Sequence, residues 1–168
     1  MKPGPLMEKL ENTAGWLCKI LIPIKHEYQI GDELKSVAIC TLSSTDLLET
    51  ISKDKNIMSK ILIVGRLLSE NKGIDKLIKF TLSHPNLRHI IVCGKEVKGH
   101  KAGQALLSLH RNGINRNDGR IIGATGSYPF LLCSQTDIQS FRRQTMIYDL
   151  IGIRDMDVIN SHLQFFCE

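Results

Sequence analysis

Apolar residues in this chain fall into two kinds of run that alternate. Short unbroken runs, Val37-Ala38-Ile39-Cys40-Thr41-Leu42, Ile61-Leu62-Ile63-Val64 and Ile90-Ile91-Val92-Cys93, read as strands buried on both faces, as in a parallel sheet covered by helices. Between and after them, apolar positions recur every three to four residues. Leu47, Leu48 and Ile51 make one stripe, Ile74, Leu77, Ile78 and Leu82 a second, and Ala102, Ala105, Leu106 and Leu109 a third, each predicting an amphipathic helix. The punctuation agrees. Ser43, Ser44 and Thr45 are candidate N-caps for the first helix and Asn71 for the second. His84-Pro85 stops the second and Gly113 closes the third. Asp137 to Thr145 reads as a further helix, Met146 to Ile151 as a last strand, and Asp155 to Phe166 as a closing amphipathic helix. Tyr28-Gln29-Ile30-Gly31-Asp32 looks like a turn, and Ile121-Ile122 like a strand running into a glycine turn, Gly123-Ala124-Thr125-Gly126.

Strands alternating with helices predict one α/β domain, doubly wound, with a mostly parallel sheet flanked by helices. A chain of 168 residues is long enough for one full core. Residues 1–21 read as an N-terminal arm and residues 22–168 as the domain; around the junction, Trp16 to Ile24 is apolar but broken by Pro23, suggesting an irregular segment or an edge strand. The net charge of +5 favours anionic ligands in general terms. It does not indicate nucleic acid, because the basic residues are scattered and no basic stripe interleaves with aromatics. Five dispersed cysteines without a C-x-x-C pair fit a reducing compartment. No run approaches the ~18 apolar residues of a membrane helix, and no signal-peptide layout opens the chain. A soluble, cytoplasmic protein that does not itself span a membrane is expected.

The chemistry concentrates in Leu87 to Asn112, a strand followed by Gly94, Gly99 and Gly103 and then a helix. Ligands of open α/β sheets sit at the carboxyl ends of strands. Gly94-x-x-x-x-Gly99 has the glycine spacing of a phosphate-binding loop, but His100 and Lys101 stand where that loop needs Lys and then Ser or Thr. The glycines match and the chemical residues do not. His100, at the start of the helix, is disfavoured as an imidazolium by the macrodipole, and a neutral imidazole is what a transition metal takes. His110 stands ten positions on, about 80° around the helix, so the two cannot chelate one ion. A protein-only zinc site needs three or four ligands, and none is suitably spaced. One imidazole among glycines suits a single axial ligand to a metal already held in a planar macrocycle, which needs the backbone close. A histidine that simply caps the helix fits the same residues.

The run Gly94-Lys95-Glu96-Val97-Lys98-Gly99-His100-Lys101-Ala102-Gly103-Gln104-Ala105, with Leu109-His110-Arg111-Asn112-Gly113 after it, closely resembles the A-subunit family of tetrahydromethanopterin S-methyltransferase from methanogenic archaea. Flanking pieces agree in order: Val37 to Ser44 after Gly31-Asp32, Ser69-Glu70-Asn71-Lys72-Gly73-Ile74-Asp75-Lys76, Ser83-His84-Pro85-Asn86-Leu87-Arg88, and Arg120-Ile121-Ile122-Gly123-Ala124-Thr125-Gly126. The resemblance implies a Rossmann-like domain that carries a corrinoid (cobalamin or the 5-hydroxybenzimidazolyl cobamide), with His100 as the lower axial ligand to cobalt. It implies that cobalt(I) takes a methyl group from methyl-tetrahydromethanopterin and that the methyl then passes to the thiol of coenzyme M. Other methyltransferase subunits are the implied partners, in a membrane complex whose demethylation step is linked to sodium export, with this chain peripheral to it. The expected cofactor-binding residues are Gly94, Glu96, Val97, Gly99, His100 and Gly103, with Gly123, Ala124, Thr125 and Gly126 at a neighbouring strand end. A stand-alone corrinoid carrier or sensor is a second expectation, and an α/β nucleotide-binding enzyme a third.

Another common corrinoid module uses D-x-H-x-x-G. Here His100-x-x-Gly103 matches its second half, while Lys98 holds the Asp position. Lysine cannot accept the imidazole's other N–H, so a backbone carbonyl, a water or Glu96 is expected to fix the tautomer. Asn71 reads as a cap. Thr41, Ser43 and Ser44 suit either a strand-to-helix turn or contacts to corrin side chains. Cys93 reads as core, His84 as a helix end, and His26, His89, His110 and His162 as structural. Phe165 and Phe166 read as docking residues of the last helix.

Overall fold

The structure is a computed structural model that describes residues 27–166. The expected arm, the Trp16–Ile24 segment and His26 lie outside the described residues. Five strands form one sheet: β1 (Tyr28–Ile30), β2 (Val37–Cys40), β3 (Ile63–Gly65), β4 (His89–Gly94) and β5 (Met146–Ile151). Among the described residues six helices accompany them: α1 (Thr45–Lys53), α2 (Lys55–Met58), α3 (Lys72–Ser83), α4 (Ala102–Asn112), α5 (Gln135–Gln144) and α6 (Met156–Gln164). The spatial order is β1-β3-β2-β4-β5. β2, β3, β4 and β5 pair in parallel, and β1 runs antiparallel to β3 at one edge.

The unbroken apolar runs divide their side chains between two cores, as strands covered on both faces must. Ala38, Cys40, Ile90 and Val92 face a core shared with Ile74 and Ile78 of α3, Ala105, Leu106 and Leu109 of α4, and Ile138 and Phe141 of α5. Val37, Ile39, Ile91 and Cys93 face the other core, with Leu47, Leu48 and Ile51 of α1, Ile57 of α2, and Ile159 and Leu163 of α6. This is the expected doubly wound α/β domain. From β2 the chain goes to β3 on one side and then returns to place β4 on the other, so the winding reverses between β2 and β4. The crevice at their carboxyl ends is where such folds bind ligands.

Several local expectations need correction. Tyr28–Ile30 is strand β1, not a turn; all three side chains are exposed, so no apolar pattern betrays it, and backbone pairing with β3 alone makes it a strand. Ile121-Ile122 is not a strand of the sheet. Ile121 forms an isolated antiparallel bridge with Ile114, and Arg120 one with Phe130, within the long α4–α5 connection. Ile121 is apolar because it is buried in the core shared with α4 and α5, not because it pairs in the sheet. The short helix α2, capped by the Asp54 carboxylate on the Asn56 and Ile57 amides, has no periodic signal of its own. His110 bonds the Thr145 carbonyl, His162 the Val158 carbonyl and His89 the Tyr148 hydroxyl, so these three are structural. His84 ends α3 and stacks on Phe80. Phe166 packs on the second core, whereas Phe165 is 77% exposed.

Candidate functional site

Three loops converge at the carboxyl edge of the sheet: residues 66–71 after β3, residues 95–101 after β4, and residues 123–128 of the α4–α5 connection. The histidine loop is tied down through the β2–α1 turn. Ser44 is the N-cap residue of α1, yet its hydroxyl accepts the Lys95 amide (2.8 Å) instead of a helix N–H, and Ser43 Oγ donates to the Lys95 carbonyl (2.7 Å). The expected capping serines thus pin the start of the 95–101 loop to the crevice. Gly94, at the end of β4, lies against Thr41 and Ser44.

His100 stands two residues ahead of α4, in a turn, and not in the helix itself. Lys101 is the N-cap residue, in the left-handed region at φ 47°. The place at the helix N-terminus is taken by Glu96. Its carboxylate accepts the amides of Gly103 (3.1 Å) and Gln104 (2.8 Å), besides that of Val97 (2.8 Å). The negative charge and filled donors oppose binding of a phosphate there, since the free N–H groups of a helix start are what a phosphate uses. The glycine spacing therefore does not work as a phosphate loop.

The imidazole is held by a residue that no local pattern links to it. His100 Nδ1 lies 2.7 Å from Glu70 Oε2. Glu70 Oε1 accepts the Tyr128 amide at 2.7 Å. The Glu70 side chain is 0% exposed and that of His100 53%. A buried carboxylate persists only when its oxygens are paired, and these two donors pair both. An ionised carboxylate is an acceptor only, so Nδ1 carries the hydrogen, and in the neutral ring the lone pair sits on Nε2. Among the described residues, Nε2 has no hydrogen-bond partner. The tautomer is fixed by Glu70, not by Glu96, a carbonyl or a water. Its signal in the sequence is faint: a lone carboxylate in a polar loop, thirty positions upstream, with no spacing rule joining it to the histidine.

The glycines divide the work. Gly126 presses on the carbonyl of His100 and on Cγ and Cδ of Glu70; a Cβ there would lie far inside contact distance of that carbonyl. Gly99 has φ 83° and nothing within 4 Å of where a Cβ would point, so the backbone beside His100 is bare on one side. Gly103 lies in the first turn of α4 against Ile151 and Leu42. Gly123 and Thr125 are bound to the Gln104 side chain, and Ser127 Oγ donates to the Gly99 carbonyl (3.2 Å). The structure thus brings residues 94–103 and 123–126 to one place; Ala124 is buried and Val97 half-buried behind them.

Among the described residues, no three or more His, Cys, Asp or Glu side chains converge on a point that could hold a metal ion. One nitrogen, Nε2 of His100, is presented. That donor set suits a metal whose other positions are filled by something else, and bare backbone at Gly99 suits a large flat neighbour. The residues present fit a corrinoid in these two respects, one imidazole nitrogen offered outward and bare backbone beside it.

Fold and site together define a doubly wound α/β domain with one carboxylate-oriented histidine at the carboxyl edge of its sheet. The family profile for the A subunit of tetrahydromethanopterin S-methyltransferase matches residues 11–168. The chain belongs to that family, whose members are methyltransferase subunits. Methanothermobacter thermautotrophicus has two forms of this A subunit among the relatives. The chain is 39% identical over 139 residues to the form numbered 2, covering 82% of this chain and 73% of the relative. To the form numbered 1 it is 34% identical over 160 residues, covering 95% and 63%. It is 35% identical over 161 residues to the A subunit of the same methyltransferase from Methanohalophilus mahii, covering 95% and 62%. The chain thus spans between about six tenths and three quarters of the length of these relatives. Among the described residues, no helix is long and apolar enough to cross a membrane.

Proposed function

We propose that this chain binds a corrinoid, cobalamin or the 5-hydroxybenzimidazolyl cobamide, through His100, and carries a methyl group between methyl-tetrahydromethanopterin and coenzyme M together with other methyltransferase subunits. The observation that carries the reading is the His100–Glu70 pair. It leaves Nε2 as a lone-pair nitrogen on a half-exposed ring, next to a glycine that keeps the backbone bare. The corrinoid, when bound, supplies the cobalt centre that accepts and gives up the methyl group.

This chain's own residues do the rest. Glu70 holds the proton on Nδ1 and sets the ring plane, and its second oxygen is held by the Tyr128 amide, so the carboxylate cannot swing. Orienting partners of this kind raise a ligating histidine's basicity and fix its direction. Gly126 lets residues 123–128 close over Glu70, which keeps water from it. Glu96 anchors the loop to the helix behind the ring. Gly99 keeps the backbone beside the ring bare, Gly94, Val97, Gly103 and Ala124 pack behind it, and Gly123 and Thr125 are tied to the Gln104 side chain.

Addition of cobalamin to the purified protein is expected to shift the cobalt absorption bands, and His100→Ala to lose the histidine-ligated spectrum. Unchanged spectra with both proteins would refute corrinoid binding. Methyl transfer to coenzyme M, assayed with and without the other methyltransferase subunits, then separates a working member of the complex from a stand-alone carrier.

A further inference from the structure

Gln104 is the third residue of α4, the helix behind His100, and every hydrogen-bonding position of its amide is aimed at fixed partners. Its Nε2 donates to the Gly123 carbonyl (2.9 Å) and to Ser108 Oγ (2.9 Å). Its Oε1 accepts the Thr125 amide (3.0 Å) and the Thr125 hydroxyl (3.3 Å). Ser108 Oγ adds its own bond to the Gly123 carbonyl (3.3 Å), and Asn112 Nδ2 donates to the Ile122 carbonyl (3.0 Å). Residues 122–125 belong to no strand of the sheet; beyond the backbone bonds of Ile122 to Gly113 (3.1 Å) and of Ala124 to Ile121 (3.3 Å), these side chains hold them. The next residues reach the site: Gly126 abuts the His100 carbonyl and Glu70, Ser127 bonds Gly99, and Tyr128 holds Glu70 Oε1.

We infer that Gln104 is a positioning residue for His100. It clamps the 123–125 turn to the histidine's own helix, and through Gly126 and Tyr128 that turn keeps Glu70 seated and the Nε2 lone pair available. A primary amide donates to a carbonyl at one end and accepts a backbone N–H at the other. The inference rests on the proposed role of His100, but half of its test does not. Losing two such bonds shifts the balance between a seated and a displaced turn by about thirtyfold.

Two variants test it. Gln104→Leu removes both functions of the amide. Gln104→Glu keeps its shape and the acceptor for Thr125 but cannot donate to Gly123, and a carboxylate near a helix start does not threaten folding. The first readout uses apo protein: long-range proton–nitrogen spectra of labelled histidine, at alkaline pH, report which ring nitrogen bears the hydrogen. Wild type is expected to show hydrogen on Nδ1 of His100, and both variants a mixture of the two tautomers, with thermal midpoints and the signals of His110 and His162 preserved. Glu70→Ala serves as the reference for complete loss of tautomer control.

The second readout uses protein loaded with cobalamin and reduced to cobalt(II). Electron paramagnetic resonance then resolves splitting from the labelled axial histidine, and the variants are expected to lose most of that population. If either variant keeps the wild-type tautomer and splitting, the inference is overturned. If wild type itself gives no histidine splitting while the apo tautomers change as expected, the corrinoid reading falls and the clamp stands. A variant that loses its fold is replaced by Thr125→Pro, which removes the bonded amide from the opposite side; an unchanged tautomer there overturns the inference as well.

Discussion

Replacing Glu70 by glutamine removes one charge and almost no volume, yet it should disable the site. In the native arrangement both oxygens of Glu70 face donors: Oε2 faces His100 Nδ1 at 2.7 Å, and Oε1 faces the Tyr128 amide at 2.7 Å. A glutamine has one oxygen. If that oxygen stays with Tyr128, the new NH₂ group confronts Nδ1–H, and the clash is relieved only when the imidazole moves its hydrogen to Nε2. Nδ1 then accepts from the amide and the outward nitrogen becomes a donor, unable to ligate a metal. If the oxygen turns to His100 instead, the Tyr128 amide is left facing another N–H at a buried position. The penalty is about 1–3 kcal/mol for an unsatisfied buried group. Thermal unfolding of a domain this size should fall by about 2–4 °C for each kcal/mol lost. Loss of an orienting partner typically weakens metal ligation by about 10–100-fold. A cobalamin titration followed by absorption, beside thermal melts, reads both quantities. Glu70→Gln with wild-type affinity and an intact histidine-ligated spectrum would show that the tautomer is set elsewhere.

Gly126→Ala and Gly99→Ala should behave differently. At Gly126 a methyl group must displace the His100 carbonyl and Glu70, an overpacking cost of about 1–3 kcal/mol with impaired corrinoid binding. At Gly99 there is open space but φ is 83°, so about 1–2 kcal/mol of backbone strain is the expected loss; equal effects on binding and stability at both positions would refute the distinction. Burial pushes the thiols of Cys40, Cys93 and Cys133 up to about 12. In folded protein at mildly alkaline pH these three should resist alkylation and should react only after denaturation, as peptide mass spectrometry will reveal. His89, stacked on Phe166 and bonded to Tyr148, is held by burial below its ordinary value. A depressed imidazole keeps the folded state proton-poor, so its contribution is intact above about pH 6.5 and is lost as pH falls through the lower folded value. Urea midpoints of wild type should drop over that window more steeply than those of His89→Phe, and parallel curves would count against it.

The sequence by itself determined the layers of this protein. Unbroken runs such as Ile90 to Cys93 read as strands covered on both sides, and the stripes of α1, α3 and α4 as their covers, because side-chain period follows from local backbone geometry. It also singled out His100, through its glycine neighbours and the strand before it. β1 escapes such a reading because its exposed side chains carry no period, and Ile121-Ile122 mimics a strand because burial against helices looks the same as burial in a sheet. Most of all, no pattern pairs His100 with Glu70. That contact depends on β3 lying two strands from β4, with the β3–α3 loop reaching across the crevice between them, and on the loop at 123–128 closing over both. Those are distances between segments that are remote along the chain, and local sequence does not encode them. The imidazole was legible as a candidate; the carboxylate that turns its lone pair outward exists only in the folded chain.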